Sequence, residues 1–413
     1  MYIKNVLRFL NSSITLKTYG LICIVLCSLI ILWLHQLNRD QNSLNRSNLV
    51  DQTRREDALI LKILNPSNPN SYSRTRKILY WTKMFQSDNF YFGDGDIFAA
   101  CPVWNCIATN DRTIEDVTEF DAIMFHGPEI DILDLPRKRY SRQRYIFVDL
   151  ETPIYHPIQN REIYKNFFNW SMTYRRDSSL MRPYGIVRNV RTNEVIPPHI
   201  PAMWKDVSKG KISEKSRDIV KSKTRQIAWF VSNCKTLSRR EDYVDVLKQY
   251  VDVDVFGSCS NFSCDTRLGA ECYKMVERKY YFYLAFENSL CKDYVTEKAF
   301  KFLEYDVVPI VYGAVDYAGV LPPHSYIDIM DFKSPKTLAS FLWELSYDSE
   351  RYLEYFRWKD MYKVQTIPNE HTLCELCQKL HVEPRLPEVI EDVYKWWTKE
   401  QCWRFDGTIL GIN

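Results

Sequence analysis

Between residues 280 and 305 the hydrophobic period of the chain changes once, and that change restricts the fold more than any other stretch. Residues 280–286 are a continuous aromatic and apolar run, which suits a strand buried on both faces. From Glu297 the apolar residues recur at helical spacing, and Thr296 stands where an N-cap belongs. The spacing therefore predicts a strand, a loop and a helix. Phe286-Glu287-Asn288-Ser289-Leu290-Cys291-Lys292-Asp293-Tyr294-Val295-Thr296-Glu297-Lys298 is the connection. Unpaired N–H groups at such a helix start would face an anion, with Lys298 as a point charge and Glu297 as an acceptor for sugar hydroxyls. That combination suits a nucleoside diphosphate.

The same alternation continues on both sides. Residues 227–231 read as a buried strand, 239–250 as a helix and 251–256 as an alternating strand, a βαβ pattern. A strand at 307–312 and an amphipathic helix at 335–345 follow, so a doubly wound nucleotide-binding domain is predicted for residues 211–365. Upstream, apolar runs at 78–81, 122–125 and 145–148 predict a separate α/β domain over residues 76–210. The Pro-containing stretch 197–201 is the expected boundary, and residues 366–413 form a Cys-rich and aromatic C-terminal segment. Its Trp396, Trp397 and Trp403 are expected to pack against the catalytic domains, with a docking surface as the alternative.

A hydrophobic content of 46% excludes a largely disordered chain, and 55 basic against 52 acidic residues leave no field for indiscriminate nucleic-acid binding. Eight Lys and Arg residues crowd between 205 and 225, but interleaved acids make this a solvated linker or helix face.

Residues 19–34 are an uninterrupted apolar or small-residue run, extendable to Leu37, and are expected to span a bilayer. Lys4, Arg8 and Lys17 precede it without an acid, which places the N-terminus in the cytosol and the rest in the lumen. The expected order is a cytosolic tail at 1–18, a type II anchor at 19–37 and a polar stem at 38–75. Two of the twelve cysteines, Cys23 and Cys27, lie in the anchor, leaving ten where disulfides persist. Asn45, Asn169 and Asn261 begin Asn-x-Ser sequons and are candidate glycosylation sites.

No metal site is expected. Asp94-Gly95-Asp96 lies in a Gly-containing loop, and Asp252-Val253-Asp254 alternates like the solvent side of a strand. Cys374-x-x-Cys377 has no second matching pair, so disulfides are favoured over zinc. His126, His156 and His371 have no partner visible in the sequence and are read as surface or structural residues.

The connection at 286–298 resembles the donor signature of the α-1,3-fucosyltransferases. Further blocks of that resemblance are Phe147-Val148-Asp149-Leu150-Glu151-Thr152-Pro153, Tyr174-Arg175-Arg176-Asp177-Ser178, Pro183-Tyr184-Gly185, Trp229-Phe230-Val231-Ser232-Asn233 with Arg240, and Val308-Pro309-Ile310-Val311-Tyr312-Gly313. The resemblance implies two facing Rossmann-like domains of the GT-B type and transfer of L-fucose from GDP-fucose with inversion. Glu151 matches the family's general base, Arg240 and Lys298 its diphosphate contacts, and Glu297 its ribose-binding carboxylate. Tyr184, Ser232, Asn233, Tyr283, Asn288 and Tyr294 match other donor contacts. No metal is obligatory under this reading, and a divalent cation enters only as a stimulant.

Thr152 stands where many members have Ser, and Trp81-Thr82-Lys83-Met84-Phe85 lacks the Trp-Pro-Phe-Gly form of vertebrate Lewis-type enzymes. Cys291 and Leu373-Cys374-Glu375-Leu376-Cys377 instead resemble invertebrate and plant members that fucosylate the innermost GlcNAc of N-glycans. In relatives the C-terminal Cys-x-x-Cys bonds cysteines of the acceptor domain, which makes Cys101 and Cys106 partners for Cys374 and Cys377 with the connectivity open. The expectation is thus a Golgi type II membrane enzyme acting on the N-glycan core. Peripheral N-acetyllactosamine or glycolipid acceptors, and a catalytically silent glycan-binding protein, are the alternatives.

Overall fold

The computed structural model describes residues 74–159, 161–199, 203–260, 264, 269–382, 388–405 and 407. The expected tail and anchor, the stem up to residue 73, Asn45 and Asn261 lie outside them. Among the described residues no helix is long and apolar enough to cross a membrane.

The first lobe is built on β1 (Arg76–Tyr80), β2 (Cys106–Thr109), β3 (Ala122–His126), β4 (Arg144–Asp149), β5 (Trp170–Thr173) and β6 (Leu180–Met181). All neighbours are parallel, in the order β2-β1-β3-β4-β5-β6. Every residue of β3 is buried, and all of β4 except Arg144, as a parallel sheet covered on both faces requires. Among the described residues, however, the crossovers between β1 and β6 contain only loops and short 3-10 turns.

The chain leaves this lobe earlier than the sequence suggests. β7 (Gly185–Asn189) pairs with β8 (Val195–Ile196), and Val187 and Val207 enter the core of the second lobe beside Phe300 and Leu303. β7 thus joins the second lobe through Val187 and through its pairing with β8, ahead of the expected boundary at 197–201.

The second lobe runs through α1 (Glu214–Ser222), β9 (Arg225–Phe230), α2 (Arg240–Leu247), β10 (Val253–Phe256), α3 (Gly269–Lys279), β11 (Tyr280–Phe286), β12 (Leu290–Cys291), α4 (Glu297–Leu303), β13 (Val308–Tyr312), β14 (Ile327–Asp328), α5 (Pro335–Tyr347) and α6 (Ser349–Leu353). The parallel order β10-β9-β11-β13-β14 is doubly wound and reverses direction between β9 and β11. β15 (Tyr362–Thr366) then returns antiparallel to β7. The basic run at 205–225 is not wholly solvated. Lys223, just after α1, is buried and donates from Nζ to the carbonyls of Glu277 and Tyr280, and burial pulls its pKa down to about 7.

The C-terminal segment supplies the helices that the first lobe lacks. α7 (Asn369–His381) is tied to that lobe by the disulfides Cys101–Cys374 and Cys106–Cys377. α8 (Val393–Thr398) buries Trp397 against Phe147 and Tyr174. β16 (Cys402–Trp403) then crosses to β12 of the second lobe, where Cys402 bonds Cys291. Cys234–Cys259 and Cys264–Cys272 use the remaining four of the ten cysteines outside the expected anchor.

Asn169 is corrected as a glycosylation candidate. It is only 7% exposed, and its Nδ2 donates to the Glu388 carbonyl while its Oδ1 accepts from the Tyr145 N–H, so its amide is committed to the fold.

Gly185 is where β7 meets α4, and a Cβ there would sit inside the Phe300 ring. Gly185→Ala is expected to cost about 1–3 kcal/mol of stability in denaturant titration by overpacking, and to weaken GDP binding by displacing α4.

Candidate active site

In a doubly wound sheet the crevice at the reversal of strand order, beyond the carboxyl ends of the strands, is the place for a ligand. In the second lobe the loops after β9 and β11 flank that crevice, and they carry the sequence-derived candidates.

Glu287 follows the last residue of β11 with its side chain 1% exposed, and it is the group around which this end is organised. Its carboxylate accepts from the Thr296 N–H (2.8 Å), from the Thr296 hydroxyl (2.9 and 3.0 Å) and from Lys298 Nζ (3.1 Å). Its carbonyl accepts from Ser238 Oγ at 2.7 Å. Burial opposes the charge on Lys298, but the carboxylates of Glu287 and Glu297 outweigh it and lift the lysine pKa. Lys298 is therefore held as an ammonium at the start of α4, with Glu297, its side chain 45% exposed, beside it at 3.5 Å. The helix is seven residues long, so the fixed charge matters more here than the helix dipole. Glu287 was present in the sequence motif but given no role; its signal was a carboxylate directly behind an apolar strand.

Arg240 opens α2 after Arg239, which takes the left-handed conformation at φ 51°. Its Nη1 donates to the Phe286 carbonyl (2.5 Å) and Nη2 to the Asn233 carbonyl (3.3 Å), while its buried Nε has no partner. Burial pulls its pKa down, and Glu287 and Glu241 act against that. The Asn288 Oδ1 is likewise buried without a partner. Ser232 and Asn233 are exposed in the loop after β9. Arg240 is only 3% exposed but close enough to Lys298 to act on its charge, so a lysine, an arginine and two unsatisfied polar atoms gather at this end of the sheet. Tyr283 is buried and stacked on Phe302 at 3.4 Å, with Glu297 and Arg240 both close enough to act on its hydroxyl.

The loop from 288 to 296 crosses to the first lobe. Ser289 Oγ meets Thr152 Oγ1 at 3.1 Å, and Asp293, at φ 60°, accepts from Arg176 Nε at 2.7 Å. The Tyr294 hydroxyl donates to Glu151 Oε1 at 2.8 Å. The Thr152 N–H donates to the same oxygen at 3.0 Å, and among the described residues no hydrogen bond falls on Oε2. One oxygen of Glu151 is thus anchored and the other is open. The Tyr184 hydroxyl donates to the Leu150 carbonyl next to it, and the Glu151 N–H donates to Asp149 Oδ1 at 2.9 Å. A proton acceptor at the end of β4 therefore stands beside the loop that leads to the cationic surface.

The sequence comparisons decide what this arrangement belongs to. The fucosyltransferase N-terminal family model matches residues 73–185, and that of glycosyltransferase family 10 (fucosyltransferase), C-terminal part, matches 220–396. Alpha-(1,3)-fucosyltransferase C of Drosophila melanogaster is 35% identical over 338 residues, covering 78% of each chain. The chain belongs to the α-1,3-fucosyltransferase family. It is a GDP-fucose-dependent glycosyltransferase. Glycoprotein 3-alpha-L-fucosyltransferase A of the same organism is 37% identical over 311 residues, 73% of this chain and 56% of that protein. A 3-galactosyl-N-acetylglucosaminide 4-alpha-L-fucosyltransferase of Homo sapiens is 33% identical over 303 residues, 71% of this chain and 75% of that one. A crystal structure of an alpha1,3-fucosyltransferase with GDP-fucose is similar at TM-score 0.47 and 13% identity, covering 76% of this chain and 92% of that one, too remote to transfer any residue.

Three substitutions test this fucosyltransferase site. Glu151→Gln keeps GDP affinity in calorimetry but loses about 10²–10⁴-fold in transfer rate, whereas Tyr294→Phe loses less, with GDP affinity unchanged. Glu287→Gln leaves the half-buried Lys298 with only the partly exposed Glu297 beside it and lowers both melting temperature and GDP affinity, at a cost of about 1–3 kcal/mol.

Proposed function

We propose that the chain transfers L-fucose from GDP-fucose, with inversion, to a GlcNAc hydroxyl of the innermost GlcNAc of N-glycans, as a GT-B enzyme anchored in the Golgi membrane with its catalytic region luminal. The observation that carries the reading is Glu151, held through one carboxylate oxygen by the donor loop and open at the other.

In this mechanism Glu151 Oε2 takes the proton of the acceptor hydroxyl as its oxygen attacks fucose C1. The bond from C1 to the GDP oxygen breaks on the opposite face, and the leaving charge is met by Lys298 and Arg240. Arg240 Nε and Asn288 Oδ1, both buried and unpartnered, suit a phosphate oxygen and a donor hydroxyl or N–H. Glu297, being partly exposed, suits the ribose hydroxyls. Because fixed side-chain cations meet the leaving charge, the donor needs no obligatory metal.

The acceptor is assigned to a polar pocket of about 330 Å³ at the ends of β1 and β3, where the first sheet reverses its strand order. Trp81, Lys83, Arg112, Glu129 and Asp134 line it, an apolar face among polar groups that suits a sugar. The N-glycan core is favoured by the similarity to a relative named for glycoproteins. The similarity to a relative named for galactosyl-N-acetylglucosaminide supports the second reading, a peripheral acceptor. The apolar run at 19–37 behind Lys4, Arg8 and Lys17 supports the membrane orientation.

Incubation of the purified protein with labelled GDP-fucose and defined glycans decides between them. Fucose on the innermost GlcNAc, located by mass spectrometry, is the expected outcome. Product only on N-acetyllactosamine overturns the core assignment, and no product on any glycan overturns the activity.

A further inference from the structure

The sequence left His126 and His156 without partners, yet the fold brings both to one carboxylate beside the catalytic loop. Asp149, the last residue of β4, has a fully buried side chain. Its Oδ1 lies 3.0 Å from His156 Nδ1 and 3.5 Å from His126 Nε2. The three ligand atoms all lie within 4.8 Å of one another. Gly127 lets the chain approach, since a Cβ there would meet the Phe147 ring at 2.7 Å and Asp149 Oδ2 at 3.4 Å.

The hydrogen-bond directions are informative. Glu129 Oε2 sits against His126 Nδ1, and an ionised carboxylate only accepts, so this nitrogen carries the ring proton. In the neutral tautomer Nε2 then presents a lone pair toward Asp149. Both that Nε2 and Asp149 Oδ2 are buried with no hydrogen-bond partner. A buried imidazole lone pair 3.5 Å from a buried carboxylate oxygen favours a positive charge between them. A proton would supply it at His126 alone, leaving His156 as a separate donor to the same carboxylate. A single divalent ion supplies it to both rings at once, and the charged groups acting on His156 are all carboxylates: Asp149, Glu151 and Glu129.

We propose that His126 Nε2, Asp149 and His156 Nδ1 form a binding site for one divalent first-row transition cation, with Glu129 orienting His126 from behind. Separations of 3.0 and 3.5 Å between donor atoms match neighbouring ligands on an ion with bonds of about 2.0–2.2 Å. Two imidazoles and one carboxylate select zinc or its neighbours over calcium or magnesium. A carboxylate on the remote ring nitrogen is the usual support of a ligating histidine. Phe85 covers both rings at 4.8 and 5.4 Å, and His156, its side chain 21% exposed, leaves an entry. The ion would act by position: Asp149 also holds the Glu151 N–H, so occupancy stiffens the loop of the base without touching the donor. The site stands whichever glycan is the acceptor.

The test uses the intact, untagged protein in detergent, stripped with chelator. Zn²⁺ titrated in calorimetry is expected to bind at one ion per chain, and Co²⁺ to give an absorption band distinct from that of the aqueous ion. His126→Gln and His156→Gln should each weaken binding at least about 100-fold, and Glu129→Gln about 10–100-fold. An unchanged melting temperature and retained binding of Glu151 to the donor loop, read as retained transfer activity, report that each variant is folded. Should one fail to fold, Glu129→Gln, at the rim, decides by itself. Absence of saturable binding to the unmodified protein, or affinity unchanged in the folded variants, overturns the proposal.

Discussion

A carboxylate shut away from water must be neutralised where it stands, and the second lobe is arranged around that requirement at Glu287. The group sits behind β11 and takes the N-cap residue of α4 and the Lys298 ammonium as its partners. Its own carbonyl takes Ser238 from the loop after β9. One buried charge thereby fixes the start of a helix, the position of a cation and the distance between the two loops that flank the reversal of strand order. A hydrophobic residue in its place would pack, but would leave Lys298 without a reason to point into the crevice.

The donor loop belongs to the second lobe by connectivity and to the first by contact. Asp293 pairs with Arg176, and Tyr294 reaches Glu151, so the loop that shapes the donor surface also holds the base. The C-terminal segment adds a covalent restraint on the same loop through Cys291–Cys402, after packing Trp397 on the first lobe. Under the proposed mechanism the proton acceptor and Lys298 are consequently registered by a single piece of backbone. A hinge motion that separates the lobes must either carry this loop with one of them or break its contacts with the other.

Much of this was legible beforehand. β11 occupies 280–286 as its apolar run implied, Thr296 caps α4, and α5 keeps the amphipathic pattern begun at Pro335. Period and capping are local properties, so they survive in the sequence. The lobe boundary was not legible, because β7 is placed by partners, β15 and α4, that lie more than a hundred residues away. Asn169 carried a sequon that says nothing about burial, and its amide proved to be a strut between Tyr145 and Glu388. Lys223 read as one more surface cation in a basic run, yet two carbonyls at the end of α3 draw it inside.

What the sequence determined by itself was the alternation of strands and helices, the cluster of charge around 287–298 and the presence of Glu151 at a strand end, since each follows from residue types within a few turns of chain. Only the tertiary structure decided that Glu151 Oε1 is anchored and Oε2 open, that ten cysteines join as they do, and that His126 and His156 converge on Asp149. Those facts depend on which strand ends meet, within the first lobe for the histidines and across the two lobes for Glu151. Such meetings are set by long-range packing, whose information is spread over the whole chain rather than written at any one position.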